Sequence, residues 1–182
     1  MPFRSRRAVL GASLLLTALV TAGCSADGAG TADASGGTPT PTPSEASPTP
    51  SAEVLAERDA FIAAQGQSQD GSLPTAKTSE QQAFLSQEKT YIESQGGTWD
   101  AFYDGVALAM TLDACETSIL NRHDVTPDIA RLHIDSSPLM QSISEGDAAA
   151  IEGLASIMVS GTSFLCPDDA AQWEAGFAEI YG

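Results

Sequence analysis

From Ala52 to the end of the chain, apolar residues return every three or four positions with polar residues between them. That is the period of an amphipathic α-helix, and no run alternates as a half-buried strand would. Val54, Leu55, Phe61 and Ile62 predict a first helix that stops at Gly66. Residues 67–77 hold Gly71 and Pro74 and read as a loop. Ser79-Glu80-Gln81-Gln82 then fits a capping box with Gln82 three residues after Ser79. Phe84, Leu85, Glu88, Tyr91 and Ile92 form one face of this second helix, and Gly96-Gly97 closes it. The third helix is expected to be capped by Thr98, with Asp100 in its first turn. Its first half is apolar at Trp99, Phe102, Val106 and Met110, and its second half on the opposite side at Leu108, Leu112, Cys115 and Ile119. A helix apolar on both sides needs neighbours on both, which predicts a central position. Asp113 shares the Val106 and Met110 side, either exposed where that face ends or capping another helix.

Proline marks the later starts. Thr126-Pro127-Asp128 opens a short helix to about His133, and Ser137-Pro138 opens another that ends near Glu145-Gly146. Asp147 caps a long helix with Ile151, Leu154, Ala155, Met158, Val159 and Thr162 on one face. Cys166-Pro167-Asp168-Asp169 turns the chain into a last helix with Trp173, Phe177 and Ile180 as its buried stripe. The expected fold class is all-α. Residues 52–182 make one small bundle of about five to six helices, long enough to bury roughly two-thirds of its unfolded surface without a cofactor.

The pattern upstream differs. Arg4, Arg6 and Arg7 precede 13 apolar or small residues, Ala8–Val20. A bilayer-spanning helix needs roughly 20, so this stretch reads as the core of an export signal over residues 1–23. Ala22-Gly23-Cys24 resembles the lipobox of bacterial lipoproteins, although Thr21 stands where leucine is usual. The resemblance implies a diacylglyceryl thioether on Cys24, which would then be the N-terminus of the mature chain. Ser5-Arg6-Arg7-Ala8-Val9-Leu10 also resembles a twin-arginine signal, leaving the export route open. Residues 24–51 continue in Ser, Thr, Gly, Ala and Pro without a large apolar side chain, so they read as a disordered tether after the lipidated cysteine. Its 27 residues beyond Cys24 would span about 80 Å as polyproline II or about 30 Å as a coil.

Charge narrows the partners. The chain holds 24 acidic and 8 basic residues, and three of the basic ones lie in the signal, which leaves a formal charge near −19 on the mature part. Nucleic acid is excluded as a partner, and so is attachment to anionic lipid through a basic patch. The expected membrane contact is therefore the lipid on Cys24, on the extracytoplasmic face.

Three cysteines leave Cys115 and Cys166 over once Cys24 is lipidated. In an oxidising compartment they form either a disulfide across a separation of 51 residues or two buried thiols. His123 and His133 are the only histidines and lie among Asp124, Asp128 and Asp135. His123, His133 and Asp135 are the candidates for a metal, but ten residues across a proline-started turn is not the i, i+4 spacing that converges ligands, so helix-end roles are expected instead. There is no Gly-x-Ser-x-Gly elbow around Ser163, no phosphate-binding glycine loop and no marked carboxylate pair. Trp99, Tyr103, Trp173 and Tyr181 are read as core rather than as a pocket. No catalytic residue and no cofactor are assigned.

Residues from about Phe84 to Pro167 resemble a family of small exported helical domains of unknown function from high-GC Gram-positive bacteria. The matching features are Tyr91-Ile92 with Gly96, the helix from Gly105 to Cys115, and Phe164-Leu165-Cys166-Pro167. The resemblance implies a helical fold and a Cys115–Cys166 bridge, and no activity. The expectation is a non-enzymatic envelope module that contacts an unknown envelope protein or a small ligand. The competing expectation is an envelope enzyme or metal binder built on the His123–Asp135 segment.

Overall fold

Helix starts follow side chains that take up the first free backbone N–H groups. The structure, a computed structural model, describes residues 50–68 and 70–182. Ser51 caps α1 (Ala52–Ala64), and Thr78 caps α2 (Ser79–Ser94). Asp100 caps α3 (Ala101–Leu120), accepting from Phe102 N and Tyr103 N. Thr126 caps α4 (Pro127–Ser136), Ser137 caps α5 (Pro138–Ser144) and Asp147 caps α6 (Ala148–Leu165). The last helix, α7 (Pro167–Tyr181), starts at Cys166, whose sulfur is in a disulfide and makes no capping bond. The described residues thus hold seven helices and no strand. The short α4 and α5 count separately because each has its own cap and proline.

Two caps differ from expectation. Thr78-Ser79-Glu80-Gln81 and Ser79-Glu80-Gln81-Gln82 are overlapping matches to one capping box. The Thr78 hydroxyl accepts from Gln81 N, and Gln81 Oε1 accepts from Thr78 N, so the box is Thr78 with Gln81. At α3 Asp100 stands directly before the first helical residue, so its carboxylate reaches two N–H groups at 2.9 and 3.3 Å and takes the role expected of Thr98.

α3 is central. Val106, Met110 and Ala114 join Val125, Ala130, Ile134, Met140, Leu154, Ala155, Met158, Val159 and Trp173 in one core. Ala107, Leu108 and Cys115 join Phe84, Leu85, Trp99 and Leu165 in a second. Trp99 precedes the helix, so the helical period does not place it, and it packs with Leu108 rather than with Val106. Phe102 is 51% exposed and Tyr91 59% exposed. In both cases the apolar pattern runs past the last neighbouring helix. α6 is the one described helix long and apolar enough to cross a bilayer by length and composition. Here it packs against α2, α3, α5 and α7. Its approach to α3 depends on Gly161, where an added Cβ would lie 2.7 Å from both Phe84 Cζ and Thr111 Cγ2.

Cys115 and Cys166 are bridged with their Cα atoms 5.7 Å apart, joining the C-terminal part of α3 to the α6–α7 corner. The bridge implied by the cysteine count and by the family resemblance is present.

α1 is the exception in this packing. Val54 is its only buried residue, and its tertiary neighbour is α3. Phe61 is half-buried at the edge of the second core. So little apolar burial leaves polar ties to hold much of this helix in place.

Candidate functional site

Gln81 supplies the first tie. It is fully buried, and its amide satisfies five partners. Oε1 accepts from Lys77 N at 2.6 Å, from Thr78 N at 3.2 Å and from Gln67 Nε2 at 3.2 Å. Nε2 donates to Gln65 O at 3.2 Å and to Gln65 Oε1 at 2.8 Å. Gln67 adds a donation to Gln65 O at 2.9 Å and accepts from Thr75 N at 3.2 Å. The α1 terminus, the segment 67–77 and the start of α2 are therefore one hydrogen-bonded unit. Gly66 makes the turn possible, with φ of 64° just past the α1 end. Asp70 folds the tip of the segment, accepting from Ser72 N and Ser72 Oγ at 3.0 and 2.6 Å. These bonds hold its carboxyl down to about 2.

Leu73 then lies against α3 at Gly105, where any Cβ would come within 2.8 Å of Leu73 Cβ. Between α1, this segment and α3 a cleft of about 320 Å³ remains. Phe61, Ile62, Leu73, Pro74, Ala109 and Leu112 give it apolar walls. Gln65, Gln67, Ser68, Ser72, Thr75, Lys77, Asp113 and Glu116 complete the lining with polar groups. This volume falls at the lower end of small-molecule sites, which are mostly apolar with a few oriented polar groups.

The carboxylates of Asp113 and Glu116 stand one helical turn apart on α3. Asp113 is exposed. Burial raises the Glu116 carboxyl above its ordinary range, with Arg58 opposing and Asp113 and Asp59 adding to the rise. Arg58 Nε is 3.7 Å from Glu116 Oε1, while its guanidinium bonds Asp59 Oδ1 at 3.0 and 2.6 Å.

The second polar tie of α1 runs through His123. Arg122 and His123 follow α3 with φ of 57° and 58°. His123 Nδ1 is 3.0 Å from both oxygens of Asp169, and Nε2 is 3.0 Å from Glu57 Oε1. Gln172 clasps the same corner, donating to His123 O at 2.9 Å and accepting from Val125 N at 2.7 Å. The imidazole thus links α1 to α7. Its pKa is raised, first by the bond to Asp169 and then by the bond to Glu57.

His133 has other surroundings. Nδ1 lies 3.1 Å from Thr117 Oγ1, Nε2 lies 3.7 Å from Asp113 Oδ2, and the ring meets Trp173 edge-on at 5.2 Å. Burial lowers its pKa. Asp135 is exposed, and its backbone carbonyl accepts from Gln141. The structure does not bring His123, His133 and Asp135 together. Glu57 and Asp169 occupy opposite nitrogens of one ring, so they do not converge on a point beside it. Among the described residues no group of three or more His, Cys, Asp or Glu side chains is placed to hold a metal ion. The tryptophans are also separate, with Trp99 in one core and Trp173 in the other. Trp173 Nε1 donates to Ser118 Oγ at 2.9 Å. Asp113, left open between exposure and capping, is exposed at the cleft rim. Cys24, with residues 1–49, lies outside the described residues.

Sequence reasoning missed Gln81, Glu57, Asp169 and Glu116 as site-forming groups. A signal existed for Gln81, because Thr78-x-x-Gln81 is itself a capping box. For the others the partners are 46 to 66 residues apart, and no local pattern joins them. Against known protein families, curated proteins and solved structures, the chain finds no match.

Proposed function

We propose that the chain is a lipid-anchored extracytoplasmic protein whose helical domain binds a small molecule, without catalysis, in the cleft between α1, the segment 67–77 and α3. The observation that carries the binding reading is the cleft itself. It is a recess of about 320 Å³ with mixed apolar and polar walls, beside the hydrogen-bonded unit of Gln81, Gln67 and Gln65. The anchoring reading is supported by the basic start, the short apolar run and Ala22-Gly23-Cys24. The Cys115–Cys166 bridge accords with an oxidising compartment. The excess of acidic residues keeps the domain soluble and turns it away from anionic lipid.

Two experiments test these parts separately. Cys24→Ser should move the full-length protein from the membrane to the soluble fraction, and unchanged membrane fractionation overturns the anchor. A small-molecule screen by NMR should perturb Phe61, Leu73 and Leu112, and Ala109→Phe, which fills the cleft from the surface of α3, should abolish the response. Hits that map elsewhere overturn the cleft as the binding site.

A further inference from the structure

We infer that the cleft takes an organic cation, a protonated amine carried on a compact apolar body. This inference rests on the small-ligand reading above and adds the charge and shape of the ligand.

The cleft and its lining choose the occupant in two parts. Phe61, Ile62, Leu73 and Leu112 offer apolar surface to a hydrocarbon body, and about 320 Å³ accommodates one or two small rings. Asp113 and Glu116 lie on one wall, one turn apart on α3. Neither carboxylate has a full counter-charge. Asp113 has only the His133 imidazole at 3.7 Å, which burial keeps toward its neutral form. Glu116 has Arg58 at 3.7 Å, and that guanidinium is already bonded at closer range to Asp59. A ligand ammonium would supply the missing charge, and its hydrogen bonds would be of the stronger, charge-assisted kind.

Lys77 is the opposing consideration, because it also lines the cleft. It is one exposed cation against two carboxylates. The formal charge of −16 on the whole chain further depletes anions and concentrates cations around the domain. The balance therefore favours a cationic ligand over an anionic one.

The test uses probes of one body with three charges. Phenethylammonium, phenethyl alcohol and phenylacetate form one set, and the corresponding adamantyl compounds a bulkier one. Binding is measured by calorimetry to the full lipidated chain in phosphatidylcholine nanodiscs, with empty nanodiscs as the blank. The cation of at least one set should bind about tenfold or more tighter than its neutral partner, the scale of one charge-assisted bond. Asp113→Asn and Glu116→Gln should each weaken the cation by roughly three- to tenfold and leave the alcohol unchanged. Asp113→Asn guards against a folding artefact, since that side chain is exposed. Raised salt should narrow the gap between cation and alcohol. Equal binding of all three charges, blocked by Ala109→Phe, overturns the cation assignment and leaves small-molecule binding standing. Preference for phenylacetate overturns it in favour of Lys77. Absence of saturable binding by every probe overturns this inference together with the reading it rests on.

Discussion

Gln81→Ala should destabilise the domain and loosen the junction of α1, the segment 67–77 and α2. The buried amide serves five partners that belong to α1, the segment 67–77 and the start of α2. Truncation leaves Lys77 N and Thr78 N without their side-chain acceptor and Gln65 O with the Gln67 donation alone, and no methyl group can replace the amide. A net loss of about 0.5–1.5 kcal/mol for each ordinary hydrogen bond would give roughly 2.5–7.5 kcal/mol for the set. Several of these bonds lie where water can replace the partner, so about 2–4 kcal/mol is expected. Gln81→Glu keeps the acceptor oxygen but buries a charge and turns an oxygen toward Gln65 O and Gln65 Oε1, so it should cost at least as much. Guanidinium denaturation of wild type and both variants measures the order. Hydrogen exchange at the amides of Lys77 and Thr78 reports the local effect and should accelerate in Gln81→Ala beyond any change in α6. A loss under about 0.5 kcal/mol, with both amides still protected, would refute the role given to this residue.

Reduction of the Cys115–Cys166 bridge frees a span of 51 residues, worth about 4 kcal/mol by loop entropy. Denaturation with and without reductant should show that difference, and two alkylatable thiols in the native protein would contradict the bridge. Gly161→Ala should cost about 1–3 kcal/mol, because the new methyl meets Phe84 and Thr111 at the α3–α6 contact. Gly153→Ala on the same helix meets nothing within 4 Å and should instead stabilise by about 0.5–1 kcal/mol, so equal signs for the two would defeat the packing argument. His123 predicts a pH dependence. Its folded pKa is raised above the reference value of 6.5, so its contribution is complete below that value and fades as pH rises through the folded pKa. His133 has the opposite sign, but it is common to wild type and variant and cancels. The stability advantage of wild type over His123→Gln should therefore be largest below about pH 6.5 and shrink as pH rises above it through the folded pKa, and a constant difference would show that the imidazolium adds nothing.

Much of the fold was legible because its causes are local. Thr126-Pro127, Ser137-Pro138 and Asp147 marked helix starts by residues that act within one turn, and the structure places helices there. The two-sided apolar pattern of α3 needed only the helical period to imply a central helix. Misplaced details lay at edges. Ser79 and Thr98 lost their expected caps to Thr78 and Asp100, adjacent residues or near neighbours with equally suitable side chains. Tyr91 and Phe102 continued an apolar pattern beyond the reach of any packing helix.

The site was not legible, and the reason is distance along the chain. His123 meets Asp169 and Glu57 only because α1 and α7 converge on the turn after α3. Glu116 becomes a cleft carboxyl with a raised pKa only because α1 lies across it. Taken alone, the order of residues settles what neighbours in sequence can settle: helix type, most boundaries and the central helix. Side-chain chemistry between remote segments depends on how those helices pack, because a hydrogen bond or an ion pair is set by distance in space. The tertiary structure alone therefore decided that a weakly packed α1, held by Gln81 and His123, meets α3 beside the segment 67–77 and leaves a cleft with two carboxylates in its lining.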